Sequence, residues 1–490
     1  MSAPRSYDAI VIGGGASGLV AAAYLAKARK KVLLLEARDK FGGRCAPANL
    51  GEGFFAARGA HTLYALDPLV IRDLRLVRKG LRIVGHELAL TGLRSDGKHI
   101  IILRDTYDTA ASIAVHSQRD AEAWPHFRKE LFDLARAMRP LWWESYGAMP
   151  SGVQSRKLER ICRTSASAWL DSWFESEALK TTLCFDAMAG GVSVLEPGSA
   201  LTLVWRAAQE MSGLQGSVTL PRGGLMALVN ALVSAANEAG CDLRTGVRAM
   251  DVVLDEGRVA GVRIENGETC FAPIVLSTAP RQHTLSKLLP SGARDIGRQA
   301  AVTRSVSLLG EASVLFALRS APSFAGVAVL GSSRFILAEK PEAYVSAEMA
   351  ARQGRLGDEL PMAFVVPTLS DPSLAPPGQH ILSASIRPVP RRPLESWSTL
   401  KAELARRVVG AIERLAPGFS RAISNIEIFT PDDVNDGAPV TVPHMLSNTA
   451  QRIEAPVPGL LLCGADAEPV PAISGRAARI AASRALVEQP

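Results

Sequence analysis

Gly13, Gly15 and Gly18 stand in the spacing G-x-G-x-x-G within the opening run YDAIVIGGGASGLVAAAYLAKARKKVLLLEARDKFGGR. Apolar residues 9–12 before the glycines read as a strand and 18–30 after them as a helix. A second strand, 32–35, then closes on Glu36. Each part has a mechanical reason. Gly13 allows a tight turn, Gly15 lets backbone approach a pyrophosphate, and Gly18 lets the helix pack closely on the strand. The helix N-terminus, with Ala16 and Ser17, presents N–H groups and positive dipole to phosphate oxygens. Glu36 lies 18 positions beyond Gly18. An acid there, next to Ala37, binds a ribose 2′-hydroxyl and disfavours a 2′-phosphate. These residues require a parallel sheet with a dinucleotide at its edge, and they leave FAD and NAD open.

Two further stretches narrow the choice. Gly42-Gly43-Arg44 follows the second strand, where two glycines let the chain pass close to a cofactor and an arginine can offset diphosphate charge. Near the other end, LLLCGADAEPVPAISGRAARIAA (460–482) repeats the grammar of strand, glycine corner and Ala-rich helix. With these pieces the chain resembles the FAD-dependent amine oxidase and phytoene desaturase superfamily. The wording PRGG…LV.AL…A after Pro221 and GAHTLYALDP at 59–68 is similar to the desaturase-like branch.

That resemblance implies an α/β fold, a Rossmann-type FAD-binding domain with an inserted α+β substrate domain. The implied division is 1–69 FAD-binding, 70–215 helical cap, 216–299 FAD-binding with a three-stranded meander, 300–440 substrate sheet and helices, and 441–490 FAD-binding. It implies cofactor contacts at Gly43, Arg44, Gly59, Ala60 and Val247, the last through its backbone. In the final corner, Gly464 would pass beneath the ribityl chain and Asp466 would accept a ribityl hydroxyl. The helix opening at Ser474-Gly475 would aim N–H donors at the flavin's N1–C2=O edge, with Ile473 and Ser474 among the cofactor contacts. The chain departs from the family's glycine-rich loop at Val470, Pro471 and Ala472, whose side chains restrict the backbone and thicken the loop.

The middle of the chain is read from its periodicity. Leu225, Leu228, Val229, Leu232, Val233 and Ala236 mark a helix. Strand-like runs at 247–254, 258–265 and 269–278 are joined at Glu256-Gly257 and Asn266-Gly267, the latter a strong hairpin signal. Trp169, Trp173 and Phe174 share a helix face that reads as core. An amphipathic helix is expected over 119–139, strands over 305–318 and 380–386, and another helix over 395–415.

Composition excludes several classes. With 47% hydrophobic and 21% charged residues in 490, the chain is an ordinary globular one. The net charge of +7 is scattered rather than clustered, which gives no nucleic-acid footprint but permits peripheral contact with an anionic membrane. Six separated cysteines suggest reduced thiols, and eight histidines in no ligand spacing suggest no metal. A cytoplasmic protein is expected, with its oligomeric state open. A second G-x-G-x-x-G is absent, which argues against an enzyme with a separate nicotinamide domain.

For catalysis, His61 is placed near the flavin ring by the resemblance, as a base or as a structural hydrogen-bonding group. Cys45 reads as a buried thiol, and His444 as a structural residue or part of a substrate pocket. The implied reaction is dehydrogenation or isomerisation of a small apolar, isoprenoid-like substrate, with electrons passing to oxygen or a quinone. The alternatives are an amine oxidase acting on a C–N bond, with an aromatic pair facing the flavin, and a flavin-bound scaffold without turnover.

Overall fold

Three distant chain segments meet in one parallel sheet. Its strand order is Leu460–Leu462, Val275–Ser277, Ala9–Ile12, Val32–Leu35 and Asp242–Arg244. The computed structural model describes residues 6–83, 87–293, 308–327, 331, 333–434 and 440–487. The central strands are buried at every position, because helices cover both faces, and so they read as continuous apolar runs rather than alternating ones. The helix Ala16–Lys27 packs between Gly224–Glu238 and the C-terminal helix Arg476–Val487. Small residues make that packing close. A Cβ on Gly18 would stand 1.9 Å from the Gly13 carbonyl oxygen, so no other residue fits there. Gly13 itself has φ of +96°, which a side chain would strain.

Beside this sheet lies the antiparallel meander Ala249–Asp255, Arg258–Ile264 and Thr269–Phe271. The run expected at 269–278 divides in two. Its first part ends the meander, and its second, Val275–Ser277, enters the parallel sheet beside Ala9–Ile12.

A seven-stranded mixed sheet forms the second layer system, ordered Ile423–Phe429, Leu309–Leu318, His380–Pro390, Met362–Val365, Ser333–Leu337, Ala89–Leu93 and Ile100–Ile102. Two of its strands, Ala89–Leu93 and Ile100–Ile102, come from the 70–215 span read as helical. They escape a periodicity reading because they are short and Ala89–Leu93 pairs in parallel with a strand some 240 residues later. Leu309–Leu318 and His380–Pro390 fall where alternation places strands, although residues 305–307 lie outside those described. The helix Trp397–Glu413 occupies the 395–415 span.

The two faces of this sheet differ. Phe335 pairs with Phe364, Phe364 with Ala384, and Ala384 with Val314, all on the face packed into an apolar core with Leu404, Val408 and Ile412 of the Trp397–Glu413 helix. Side chains alternate along a strand, so Ser383, Ser385 and Arg387 point the other way. That second face looks toward the helices of 118–208, which have their own core. There Trp169 and Phe174 are buried around Phe127 with ring centroids 4.9–5.2 Å apart, a packing role for that aromatic stripe.

Candidate functional site

A cavity of about 570 Å³ runs from the glycine corner of the parallel sheet to the polar face of the mixed sheet. At its first end the helix Ala16–Lys27 begins at Gly15 with no side chain capping it. Its first-turn N–H groups are therefore open to a ligand. Backbone of Gly15 and Gly42 is bridged, and a Cβ on Gly15 would have only the Gly43 Cα as neighbour, at 3.8 Å. The walls here are bare backbone at an uncapped helix end, which suits a diphosphate. Glu36 is buried at the rim. It accepts hydrogen bonds from the N–H of Gly14 (2.7 Å) and of Arg38 (2.9 Å). Val247 joins it, donating its N–H to the Glu36 carbonyl at 2.9 Å.

Gly13, Gly15, Ala16, Ser17, Glu36, Ala37, Gly43, Arg44, Gly59, Ala60, His61, Val247, Gly464 and Ile473 all line this one cavity. Three residues expected at the cofactor stand outside that wall. Gly18 is a packing glycine, as its contact with Gly13 requires. Asp466 is turned away, its carboxylate accepting the N–H of Arg281 at 2.6 Å. Ser474 is buried, its hydroxyl donating to Glu468.

The last of these corrects the reading of the final helix. Its first N–H groups are already satisfied, that of Arg476 by Ser474 Oγ and that of Ala477 by Glu468 Oε1, each at 2.9 Å. A buried carboxylate in the corner loop caps the helix, as an acid at a helix N-terminus does. The donors expected at the flavin edge are thus engaged, and the cavity wall is made instead by Pro471, Ala472 and Ile473. The departures at 470–472 are accommodated locally. Val470 is buried in the helical core, and Pro471 lies over Gly190, where a Cβ would come within 3.2 Å of its ring.

The other end of the cavity is charged, and nothing in the sequence reading anticipated it. Phe185 and Asp186 end the helix Glu177–Ala187, and Arg206 lies on the helix Ala200–Ala208. Arg334, Arg387 and Glu311 come from three strands of the mixed sheet. Arg334 grips Asp186 in a two-pronged pair at 3.0 and 2.8 Å, while Arg387 and Arg206 approach it at 3.7 and 3.9 Å. Glu311 accepts from Arg44 (3.1 Å) and Ser385 (2.7 Å), with Arg387 at 3.5 Å. Arg44 thereby ties the Gly42-Gly43 loop to the mixed sheet, and its Nε also donates to the Gly59 carbonyl at 2.9 Å. Guanidiniums cover the aromatic rings of the wall, Arg206 over Tyr64 at 4.5 Å and Arg387 over Phe185 at 4.1 Å.

Burial pushes the carboxyl of Asp186 up, but Arg334, Arg206 and Arg387 outweigh it and hold the group well below the usual carboxylate range. Glu311 is likewise raised by burial but pulled down to about 2 by Arg44 and Arg387. His61 goes the opposite way. Burial lowers it to about 4, with Glu311 opposing and Arg44, Arg334 and Arg387 reinforcing. Its ring is therefore neutral near pH 7. Nδ1 is bonded to Ser383 Oγ, and Nε2 is buried without a hydrogen-bond partner.

The signal for the charged wall was present in HILSASIRPVP (380–390), where Ser383, Ser385 and Arg387 recur at every second place among apolar neighbours. Cys45 is a buried thiol, pushed up to about 12 by burial. His444 bonds the Glu468 carbonyl at 2.7 Å, a structural role. Among the described residues there is no cluster of ligands able to hold a metal, and no helix is long and apolar enough to cross a membrane.

The family model of flavin-containing amine oxidoreductases matches residues 16–468. The chain belongs to that family. It is an FAD-dependent oxidoreductase, and the bare-backbone cradle at Gly15 and Gly43 suits the diphosphate of that cofactor. A pyridine nucleotide-disulfide oxidoreductase domain-containing protein 2 from Rattus norvegicus is 29% identical over 97% of this chain and 92% of its own. A lycopene-forming phytoene desaturase from Pseudescherichia vulneris is 25% identical over 98% of both. Among solved structures, a putrescine oxidase redesigned in cofactor binding shares the fold, with a TM-score of 0.65 and 16% identity over 99% of each chain. Within the family, both the desaturase and the amine oxidase branches are thus represented among its likenesses.

Proposed function

We propose that the enzyme acts on carbon–carbon bonds, by dehydrogenation or double-bond isomerisation of a substrate with an apolar body, and not on a C–N bond. One observation carries this reading. The end of the cavity away from the glycine corner holds four guanidiniums, Arg44, Arg206, Arg334 and Arg387, against two carboxylates, Asp186 and Glu311, and both carboxylates are engaged. A protonated amine entering there would meet an excess of positive charge in a site of low dielectric, where repulsion is strong. Tyr64 and Phe185, two of the aromatic rings lining the cavity, are covered by arginines. The likeness to the phytoene desaturase from Pseudescherichia vulneris over nearly the whole chain favours the same reading.

When bound, FAD supplies the two-electron chemistry, taking a hydride from a substrate carbon. The chain's own residues do the rest. Phe185, Met188, Val192 and Trp205 give the cavity apolar walls that orient a hydrocarbon and exclude water. In the tautomer that donates from Nδ1 to Ser383, the Nε2 of His61 carries an open lone pair and receives the proton lost from the neighbouring carbon. Its lowered pKa keeps it unprotonated throughout the neutral range. Electrons would leave to oxygen or a quinone.

The test is anaerobic. The yellow holoenzyme is mixed with an isoprenoid alkene panel and, separately, with mono- and polyamines. Bleaching of the flavin band by an alkene, with a primary deuterium isotope effect at the reacting carbon, is the expected result. Bleaching and later peroxide release with an amine would sink the proposal.

A further inference from the structure

We infer that the substrate carries an anionic group, a carboxylate by its geometry, and that Arg206 and Arg387 receive it. This rests on the reading above that the charged end of the cavity is where the substrate enters, and it deepens that reading by naming the polar end of an otherwise apolar molecule.

Four features point to a ligand rather than to a finished structural network. Asp186 has both oxygens occupied by Arg334, so the two-pronged pair is complete without the others. Arg206 and Arg387 stand 3.9 and 3.7 Å from that carboxylate, beyond hydrogen-bonding reach. Nη1 of Arg206 and Nε of Arg387 are buried and have no hydrogen-bond partner. The Arg206 side chain is 12% exposed and its guanidinium lies on the Tyr64 ring, with the Asp186 carboxylate 3.9 Å away and outside hydrogen-bonding distance. A buried cationic donor with no acceptor is costly, and proteins retain such donors where a ligand completes them.

The composition of the wall agrees with this. Ser385 lies one alternation step before Arg387 on the same face of the strand His380–Pro390 and lines the cavity with it, and Ser383 lies one step further along that face. Phe185 and Met188 follow on the helical side, so polar and apolar surfaces sit side by side in one cavity. A guanidinium offers planar, paired donors that match a carboxylate in shape as well as charge. A purely hydrocarbon substrate would leave these donors unpaired and would have to displace their solvent for nothing in return. The FAD diphosphate does not meet the need, because its helix end lies at the opposite end of the cavity, at Gly15.

The test uses the FAD-loaded enzyme and three probes of equal chain length: decanoate, methyl decanoate and decylamine. Binding is read by calorimetry and by the perturbation of the flavin's visible spectrum. Decanoate should bind at least about tenfold more tightly than either other probe, the effect of one charge-assisted hydrogen bond. In Arg206→Met the decanoate affinity should fall roughly 10- to 100-fold with flavin content unchanged. Methyl decanoate affinity should stay the same. Arg206→Lys should recover little of the loss, since an ammonium lacks the fork.

Equal affinity of the wild-type enzyme for the acid and its ester would overturn the inference, and so would an unchanged decanoate affinity in Arg206→Met. The wild-type comparison needs no variant and stands even if Arg206→Met misfolds. Failure of the reaction reading looks different. Should an amino acid be oxidised at its C–N bond while decanoate still shows the arginine-dependent preference, the carbon–carbon assignment falls and the anion site stands.

Discussion

The two ends of the cavity are built in opposite ways. At the glycine corner the working surface is backbone. Gly15 and Gly43 present bare backbone, and the buried Glu36 sets the rim. At the far end the working surface is side chain. Six charged residues from two helices, three strands and the Gly42–Arg44 loop converge on it. A backbone site is encoded locally, since glycine spacing alone fixes its turn. A side-chain site depends on every element that carries one of its members. The first should therefore fail through steric clash and the second through unbalanced charge, and this contrast can be tested.

The largest effect is expected at the backbone end. In Gly18→Val the new side chain would overlap the Gly13 carbonyl, and the helix cannot withdraw because it is packed on both sides. Overpacking of this kind costs about 3 kcal/mol or more. The flavin-to-protein ratio after purification should collapse together with the denaturation midpoint. A variant that kept its flavin would break the contrast.

Next in size is the charged end. Asp186→Ala leaves Arg334 and Arg206 buried without that carboxylate and Arg387 with Glu311 alone, a loss of about 3–5 kcal/mol in denaturant titration. Asp186→Asn keeps the shape and should lose nearly as much, because charge rather than volume is missing.

A pH effect of about 3 kcal/mol should follow from His61. Its folded pKa of about 4 lies below the ordinary imidazole value of about 6.5, so the unfolded chain binds the proton more readily. Stability is then fully present above about pH 6.5 and is lost as the pH falls from there towards 4. His61→Asn should flatten that part of the stability–pH profile. An unchanged slope would place the acid sensitivity elsewhere.

The smallest effect is expected at the cofactor rim. Glu36→Gln retains an acceptor for the Gly14 N–H but loses the charge that favours a ribose hydroxyl. FAD should bind about tenfold more weakly, or ~1.4 kcal/mol, with folding barely changed. A fluorescence titration of the flavin into apoenzyme reads this directly.

Much of the fold was legible in the sequence because its signals are local. Gly13, Gly15, Gly18 and Glu36 lie within 24 residues of one another, and the hairpin at Asn266-Gly267 needs only its two flanking strands. The helix at Gly224–Glu238 follows from spacing alone. Where the reading failed, a distant residue had intervened. Ala89–Leu93 becomes a strand by pairing with Ser333–Leu337. The N–H donors of the last helix are claimed by Glu468, which sits eight residues before its first helical residue and folds back as a cap.

The sequence by itself determined the glycine corner, the first two parallel strands beside it and the family, because glycine geometry and apolar periodicity act over one or two elements. Only the tertiary structure decided what the cavity holds opposite the glycine corner. Asp186 and Arg387 are 201 positions apart and carry no mutual signal along the chain. They meet because a helix and a sheet strand pack against each other, and electrostatics between such residues exists only once that packing has removed the water between them.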